Sequence, residues 1–378
     1  MREVVIIDGL RTPIARAGAD RSYLKSIRAD DLAVICVREL MRRNPRIAPG
    51  EIEDVIFGCA NQSGEQSLNI ARMIALLAGF PVEVAGTTVD RQCGSGLQAI
   101  NVAAQSIMSG AGEIAIAGGV EHMTHVPMGS GMNPNSRLFD MFPPEWASMG
   151  LTAERLAAMH GITRAQSDAY ALRSHQRAIA ARERFKDEIA RVDIDGNLLD
   201  IDQGPRADTS LEKLATLKPS FRPDGQVTAG NSSQVSDGAA ALILMSAERA
   251  RSLGVAPMAR IRAMAVAGVP PEIMGWGPVP AIGKALDRAA LRLGDIDLVE
   301  INEAFAAQVL ACNTALKIDE EKLNVNGGAV ALGHPLGCSG ARLTVTLLHE
   351  MRRRRARLGI VSLCIGVGQG IATVIEAL

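Results

Sequence analysis

Aromatic side chains are scarce in this sequence: seven Phe, two Trp and two Tyr make up 3% of the residues. That leaves little for stacking nucleic-acid bases. An excess of charge is missing as well, since 40 basic and 41 acidic residues leave a net charge of −1. No electrostatic footprint for a phosphate backbone results, so nucleic acid is not an expected partner. No uninterrupted apolar run reaches ~18 residues, and no membrane span is expected. The six cysteines (Cys36, Cys59, Cys93, Cys312, Cys338, Cys364) include no CxxC pair. This argues against zinc and against a disulfide framework, and fits a reducing compartment. His122, His125, His160 and His175 lack metal-ligand spacing. The chain starts Met1-Arg2-Glu3 and enters a strand-like run without a secretory leader, and it ends on no peroxisomal address. The cytoplasm is the expected location.

Glycine, by contrast, is abundant, with 37 residues falling between strand-like and helix-like runs. That suits tight βα turns. A chain of 378 residues is too long for one core and implies two or three domains. Residues 1–118 alternate strand and helix patterns: strands at 4–7, 53–58, 87–89 and 113–117, helices at 29–43, 69–78 and after Cys93. This is an α/β layered pattern. From 119 to about 250 the texture changes, with Pro127, Pro134, Pro143 and Pro144 and a capping box at Thr163–Gln166 opening a long polar helix. The stretch is too long for a connection and reads as an inserted lid subdomain. The first pattern returns over 251–378, with strands expected at 323–325 and 360–363.

Two matches carry an internal duplication. Ile52-Glu53-Asp54-Val55 resembles Ile296-Asp297-Leu298-Val299, and Ser95-Gly96 before a helix resembles Ser339-Gly340 before a helix. Both pairs lie 244 residues apart. Two related α/β halves with a lid between them are expected, and their matching strand–turn–helix corners can meet at one cleft.

Chemistry-bearing residues sit at those corners. Cys93, in Asp90-Arg91-Gln92-Cys93-Gly94-Ser95-Gly96, falls at a helix N-terminus, where free N–H groups and the macrodipole favour the thiolate. Taken alone, such a cysteine is more often a small buried apolar residue. His334 is held in the glycine-rich turn before Pro335, and reads equally as a base or as a structural histidine. Cys364 ends an apolar strand; by itself it suits a core. The Gly366-Val367-Gly368-Gln369-Gly370 that follows cannot be a dinucleotide fingerprint, because eight residues remain. Asn302, just past an apolar strand, could hold a water or cap the next helix. The run Arg352–Arg355 reads as a solvated helix end complementing the dipole, with phosphate contact as the lesser alternative.

Together these motifs resemble the thiolase family. They are Cys93 in its Gly-Ser-Gly turn, Asn302-Glu303-Ala304-Phe305, Gly333-His334-Pro335 and Cys364-Ile365-Gly366-Val367-Gly368-Gln369-Gly370, joined by Thr228–Ser233, Arg11-Thr12-Pro13 and Met149–Glu154. The match runs through the whole chain in order. Glu121–Met128 and the Cys364 ending resemble the degradative 3-ketoacyl-CoA thiolases, especially the thiolase subunit of bacterial β-oxidation complexes. Biosynthetic acetoacetyl-CoA thiolases, the alternative, carry a histidine where Ser148 stands. A ketoacyl synthase or a non-catalytic acyl-CoA-binding relative fits less well, because Cys93, His334, Cys364 and Asn302 are all present.

The resemblance implies a layered α-β-α-β-α core and CoA-dependent cleavage of 3-ketoacyl-CoA through an acyl-Cys93 thioester. It implies His334 as the base for Cys93 and Cys364 as general acid and base. Asn302, with a water, and the Gly366 backbone N–H become oxyanion donors. Ser233, Met149, Arg206 and Phe305 become CoA or acyl contacts. It implies CoA as a substrate with no bound cofactor or metal, a homodimer or homotetramer, and a hydratase–dehydrogenase partner subunit.

Overall fold

A computed structural model describes residues 2–378. Apart from a hairpin of Val192–Ile194 and Asn197–Leu199, its strands form one long mixed sheet built from two copies of one five-strand order. In the N-terminal copy Ala85–Val89, Asp54–Gly58, Ile114–His122, Ser236–Ser246 and Val4–Arg11 lie side by side. In the C-terminal copy the same order is Leu298–Ile301, Leu358–Ile365, Gln369–Ala377 and Ala259–Gly268. The missing edge strand is reduced to a single bridge, Val299 to Leu323, where the sequence suggests a strand over 323–325. The copies join through Val5–Arg260 and Ile6–Ala259, antiparallel.

The strand alternation then sorts the core into layers. Val5, Ile7 and Ile243 face an outer cluster with Leu32, Val37 and Ile74 from the helices Ala29–Arg43 and Ile70–Ala78. Val4, Ile6, Leu242 and Leu244 face a central cluster with Leu97, Ile100, Leu343 and Leu347. Val361, Leu363 and Ile365 enter the same centre from the second copy. Ile360 and Val374 face a third cluster with Ile282 from the helix Pro278–Ala289. The result is helix, sheet, paired central helices, sheet, helix, which is the five-layer arrangement expected.

The central pair, Ser95–Ser109 and Leu336–Arg354, cross where the sequence repeats Ser-Gly. A Cβ on Gly340 would lie 2.3 Å from the Leu97 nitrogen, and one on Gly96 would lie 2.6 Å from the Gly337 oxygen. The duplicated glycines therefore let the two backbones touch. Gly340→Ala is expected to destabilise the protein by about 3 kcal/mol, because the clash is with backbone that cannot rotate away; urea denaturation reads it.

The insertion begins later and ends earlier than residues 119–250. Ile114–His122 continues four residues past Gly118, and Ser236–Ser246 is wholly buried as the sheet's fourth strand. The excursion is therefore residues 123–235. In the C-terminal copy the same two strands are joined by residues 366–368 alone. A catalytic-size turn in one half occupies the topological place of a subdomain in the other. Within the excursion, Thr163 accepts a hydrogen bond from the Gln166 N–H and opens the helix Arg164–Phe185 as the capping box requires.

Candidate active site

Cys93 lies in a single helical turn, Gln92–Gly94, between the strand Ala85–Val89 and the central helix. Gln92 takes a left-handed φ of 47°, which turns the chain sharply there. Cys93 is half-buried, whereas the other five cysteines are buried. The backbone N–H groups of Gly366 and of Cys93 itself favour its thiolate. Burial nevertheless outweighs them and pushes the thiol up to about 11. The expectation that the helix N-terminus makes a resting thiolate is thus corrected: desolvation is larger than the dipole, and the sulfur needs a base.

His334 is 5% exposed, and its main-chain N–H donates to the Gln234 oxygen at 2.9 Å. Ser339 Oγ donates to the Pro335 oxygen at 2.9 Å and lies 2.5 Å from His334 Nδ1. The Ser339 proton is committed, so Nδ1 carries the imidazole hydrogen and Nε2 keeps its lone pair. Burial, then the Arg342 charge, pull His334 down to about 3, so it rests neutral. A neutral imidazole whose Nε2 keeps its lone pair can accept a proton. Two residues on, Leu336 belongs to the small cluster against which Cys93 packs.

Asn302 is not a helix cap. The next helix begins at Ala306, with Phe305 in the capping position. Asn302 is fully buried, its Nδ2 lies 3.3 Å from His334 Nε2, and its Oδ1 has no protein partner. Cys364, 1% exposed, ends the strand Leu358–Ile365. Burial, and then the charges of Cys93 and Cys312, raise its thiol well above the ordinary range. The turn after it is strained: Val367, a β-branched residue, has φ 63°.

Phe305 and Cys364 share an apolar cluster with Ala153, Val227, Met274 and Ala304, and Met149 packs against it. The Ser233 N–H donates to the Ala304 oxygen at 2.9 Å, placing Ser233 beside that wall. Arg206 is not in this group. It is exposed and lines a separate cleft of about 120 Å³ with His175, Lys213, Leu217 and Gln234. One residue links the two places, since Gln234 lines the cleft and its carbonyl holds the His334 N–H.

The residues that hold these groups carry no local signal in the sequence. Ser339 stands in the quoted motif, five residues after His334, but its spacing alone gives no sign that it fixes the imidazole. Ser339→Ala is expected to lower the rate on the order of 10²-fold by freeing the tautomer, with little change in KM; steady-state kinetics reads it. Glu121, fully buried, accepts hydrogen bonds from the N–H groups of Ala60, Asn61 and Gly337, tying the His334 turn to the first copy's sheet. The run Arg352–Arg355 is more than a solvated end: Arg353 and Arg354 both bind the buried Glu350, at 2.9 and 2.6 Å. Glu65, His122 and His125 bring possible ligand atoms within 4.8 Å of one another. Every ring nitrogen of the two histidines already has a protein partner.

Two halves of one duplicated fold thus bring His334, Cys93 and Cys364 to one set of corners. This is the constellation of a cysteine-dependent acyltransferase. Residues 4–248 match the family model described as thiolase, N-terminal domain, and residues 255–377 match thiolase, C-terminal domain. The chain belongs to the thiolase family.

Among curated relatives, 3-ketoacyl-CoA thiolases of Marinobacter nauticus and Shewanella loihica are each 51% identical. The first match covers 99% of this chain and 98% of the relative, the second 100% of both. Among solved structures, human mitochondrial 3-ketoacyl-CoA thiolase superposes with a TM-score of 0.91 at 40% identity, covering 100% of this chain and 99% of that one. An acetyl-CoA acetyltransferase of Bacillus anthracis gives 0.91 at 45% over the same shares. No helix among the described residues is long and apolar enough to cross a membrane.

Proposed function

We propose that the chain is a 3-ketoacyl-CoA thiolase, cleaving its substrate with CoA to acetyl-CoA and an acyl-CoA shortened by two carbons. The observation that carries this reading is the buried His334, its Nε2 3.3 Å from Asn302 Nδ2, on the turn whose Leu336 packs with Cys93 of the first half. His334 Nε2 takes the Cys93 proton as the sulfur attacks the 3-keto carbon, and the N–H groups of Cys93 and Gly366 receive the developing oxyanion. The C2–C3 bond breaks, the electron pair stays on C2 as the acetyl-CoA enolate, and the Cys364 thiol protonates it. Protonated His334, with a water on the buried Asn302, stabilises that enolate oxygen. The resulting Cys364 thiolate takes the proton of the incoming CoA thiol, which attacks the acyl-Cys93 thioester. His334 returns its proton to the departing Cys93 sulfur, and the enzyme is regenerated.

Met149, Phe305 and Ser233 line the approach to Cys364, and Arg206 with Lys213 offers charge for the CoA phosphates at the far cleft. The test is a chain-length series of 3-ketoacyl-CoA substrates, with and without free CoA. CoA-dependent loss of the ketoacyl signal at more than four carbons supports the reading. Cleavage confined to acetoacetyl-CoA favours the short-chain acetyltransferase, and no cleavage overturns both.

A homodimer fits the surface. The edge strand Ala85–Val89 pairs on one side only, and Leu68, Leu76, Leu77 and Val82 stand exposed nearby. Light scattering after size exclusion reads the state; a monomer overturns it. The site operates on CoA thioesters in fatty-acid β-oxidation, and co-purification with a hydratase–dehydrogenase subunit tests the expected partner.

A further inference from the structure

One face of the central helix Leu336–Arg354 is polar although it is buried. Ser339, Arg342, Thr346 and Glu350, spaced by three and four residues, lie along a single stripe. All are at most 2% exposed. Cys338, Ala341 and Val345 meanwhile turn to the central apolar cluster. By the helical rise, the stripe runs about 16 Å from the His334 end of the helix towards the Arg353–Arg354 end.

Three of the four side chains are held by the protein. Ser339 meets His334 Nδ1, Thr346 Oγ1 donates to Glu188 at 2.9 Å, and Glu350 accepts from Asn326 Nδ2 at 3.0 Å. Arg342 is different. It is fully buried, and none of Nε, Nη1 and Nη2 has a hydrogen-bond partner in the protein. Four buried oxygens are likewise without protein partners: Glu300 Oε2, Glu188 Oε2, Asn302 Oδ1 and Asn326 Oδ1. Glu300, Glu188 and His334 all lie within electrostatic reach of Arg342. Asn302 follows Glu300 by two residues at the strand's end and so shares its side.

A dry guanidinium with five unmade N–H bonds is untenable in a core. The surrounding orphan groups are acceptors, so a bound anion would be repelled, whereas waters satisfy donors and acceptors together. We propose that Arg342, Glu300 and Asn302 enclose a buried hydrated space behind His334, through which Arg342 and Glu300 act as positioning residues for that base. The proposal rests on the reading of His334 as the base for Cys93.

The charges facing Glu300 give the space a measurable consequence. Burial pushes Glu300 up to about 8; Arg342 opposes this, and Glu303, Glu188 and Glu350 add to it. Arg11, paired with Glu188 at 2.7 Å, faces Arg342 from the other side. While Glu300 is protonated, the Arg342 charge opposes an imidazolium at His334. Once Glu300 ionises it offsets Arg342, and His334 becomes the stronger base.

The experiment is alkylation of Cys93 by iodoacetamide, followed by peptide mass spectrometry, in the wild-type protein and Glu300→Gln. At about pH 6.5 the two rates should agree, because the substitution copies the protonated acid. At about pH 9 the wild type should react about threefold faster, because a base passes on only about half of a one-unit change in its basicity to the rate it assists. Equal rates at both pH values, or a slowing by the same factor at both, overturns the proposal. A crystal structure at atomic resolution provides a second arm that needs no variant. Waters bridging Arg342 to Glu300 support the proposal, and a dry, direct Arg342–carboxylate pair overturns it. Neither measurement uses a ketoacyl-CoA or CoA, so failure of the thiolysis reading would register separately.

Discussion

Cys93→Ala should lose thiolysis by at least about 10⁴-fold, while binding of the ketoacyl-CoA persists. The size follows from the chemistry. With a neutral His334 and a Cys93 thiol pushed up by burial, no anion exists at rest, so attack and proton transfer must coincide. Alanine removes the only half-buried thiol beside the Gly366 N–H, and the fully buried Cys364 cannot take its place. A coupled acetyl-CoA assay checks the rate, and equilibrium binding checks the retained affinity. A variant that keeps more than a hundredth of the activity would show that Cys93 does not carry the acyl group.

The second large effect separates the two thiols. Cys364→Ala should still be acylated at Cys93 by a simple acyl-CoA, since that step uses His334 and the two N–H donors. Carbon–carbon cleavage should fall by about 10³-fold, because the enolate then leaves without its acid. The burial of Cys364 supports this division: its thiol is held protonated far above the ordinary range, which suits a proton donor and not a resting nucleophile. Equal losses in acylation and cleavage would make Cys364 a structural residue instead.

Much of this architecture is legible in the residues. The Ser-Gly repeat at 95 and 339 marks the two central helices, and its glycines are where their backbones touch. The strand Leu298–Ile301 and the turn at Cys93 stand where alternation and glycine place them. The insertion's end was misplaced for a physical reason. Ser236–Ser246 is buried on both faces and rich in alanine, so it shows no alternation to mark it as a strand. The edge strand at 323–325 is reduced to one bridge because Asn324 turns to a left-handed φ of 48° and meets Ile301 through its side chain.

At the site, residue types reveal the candidates but not their electrostatics. A helix N-terminus is visible in a sequence, whereas the desolvation that overrides it at Cys93 depends on what packs around the sulfur. Ser339 and Gln234 act on His334 through a side chain five residues on and a carbonyl 100 residues back, and no local pattern encodes either. Arg206, a CoA contact only by resemblance, stands apart from Cys364 in a cleft that the folded excursion lines.

An acyl group at Cys93 derived from a ketoacyl substrate is the central intermediate of the proposed reaction. Intact-protein and peptide mass spectrometry of the enzyme mixed with 3-ketohexadecanoyl-CoA, before CoA is added, measures this directly. The prediction is a tetradecanoyl adduct on Cys93 that disappears when CoA is supplied. No adduct, or one that sits on Cys364, would contradict it.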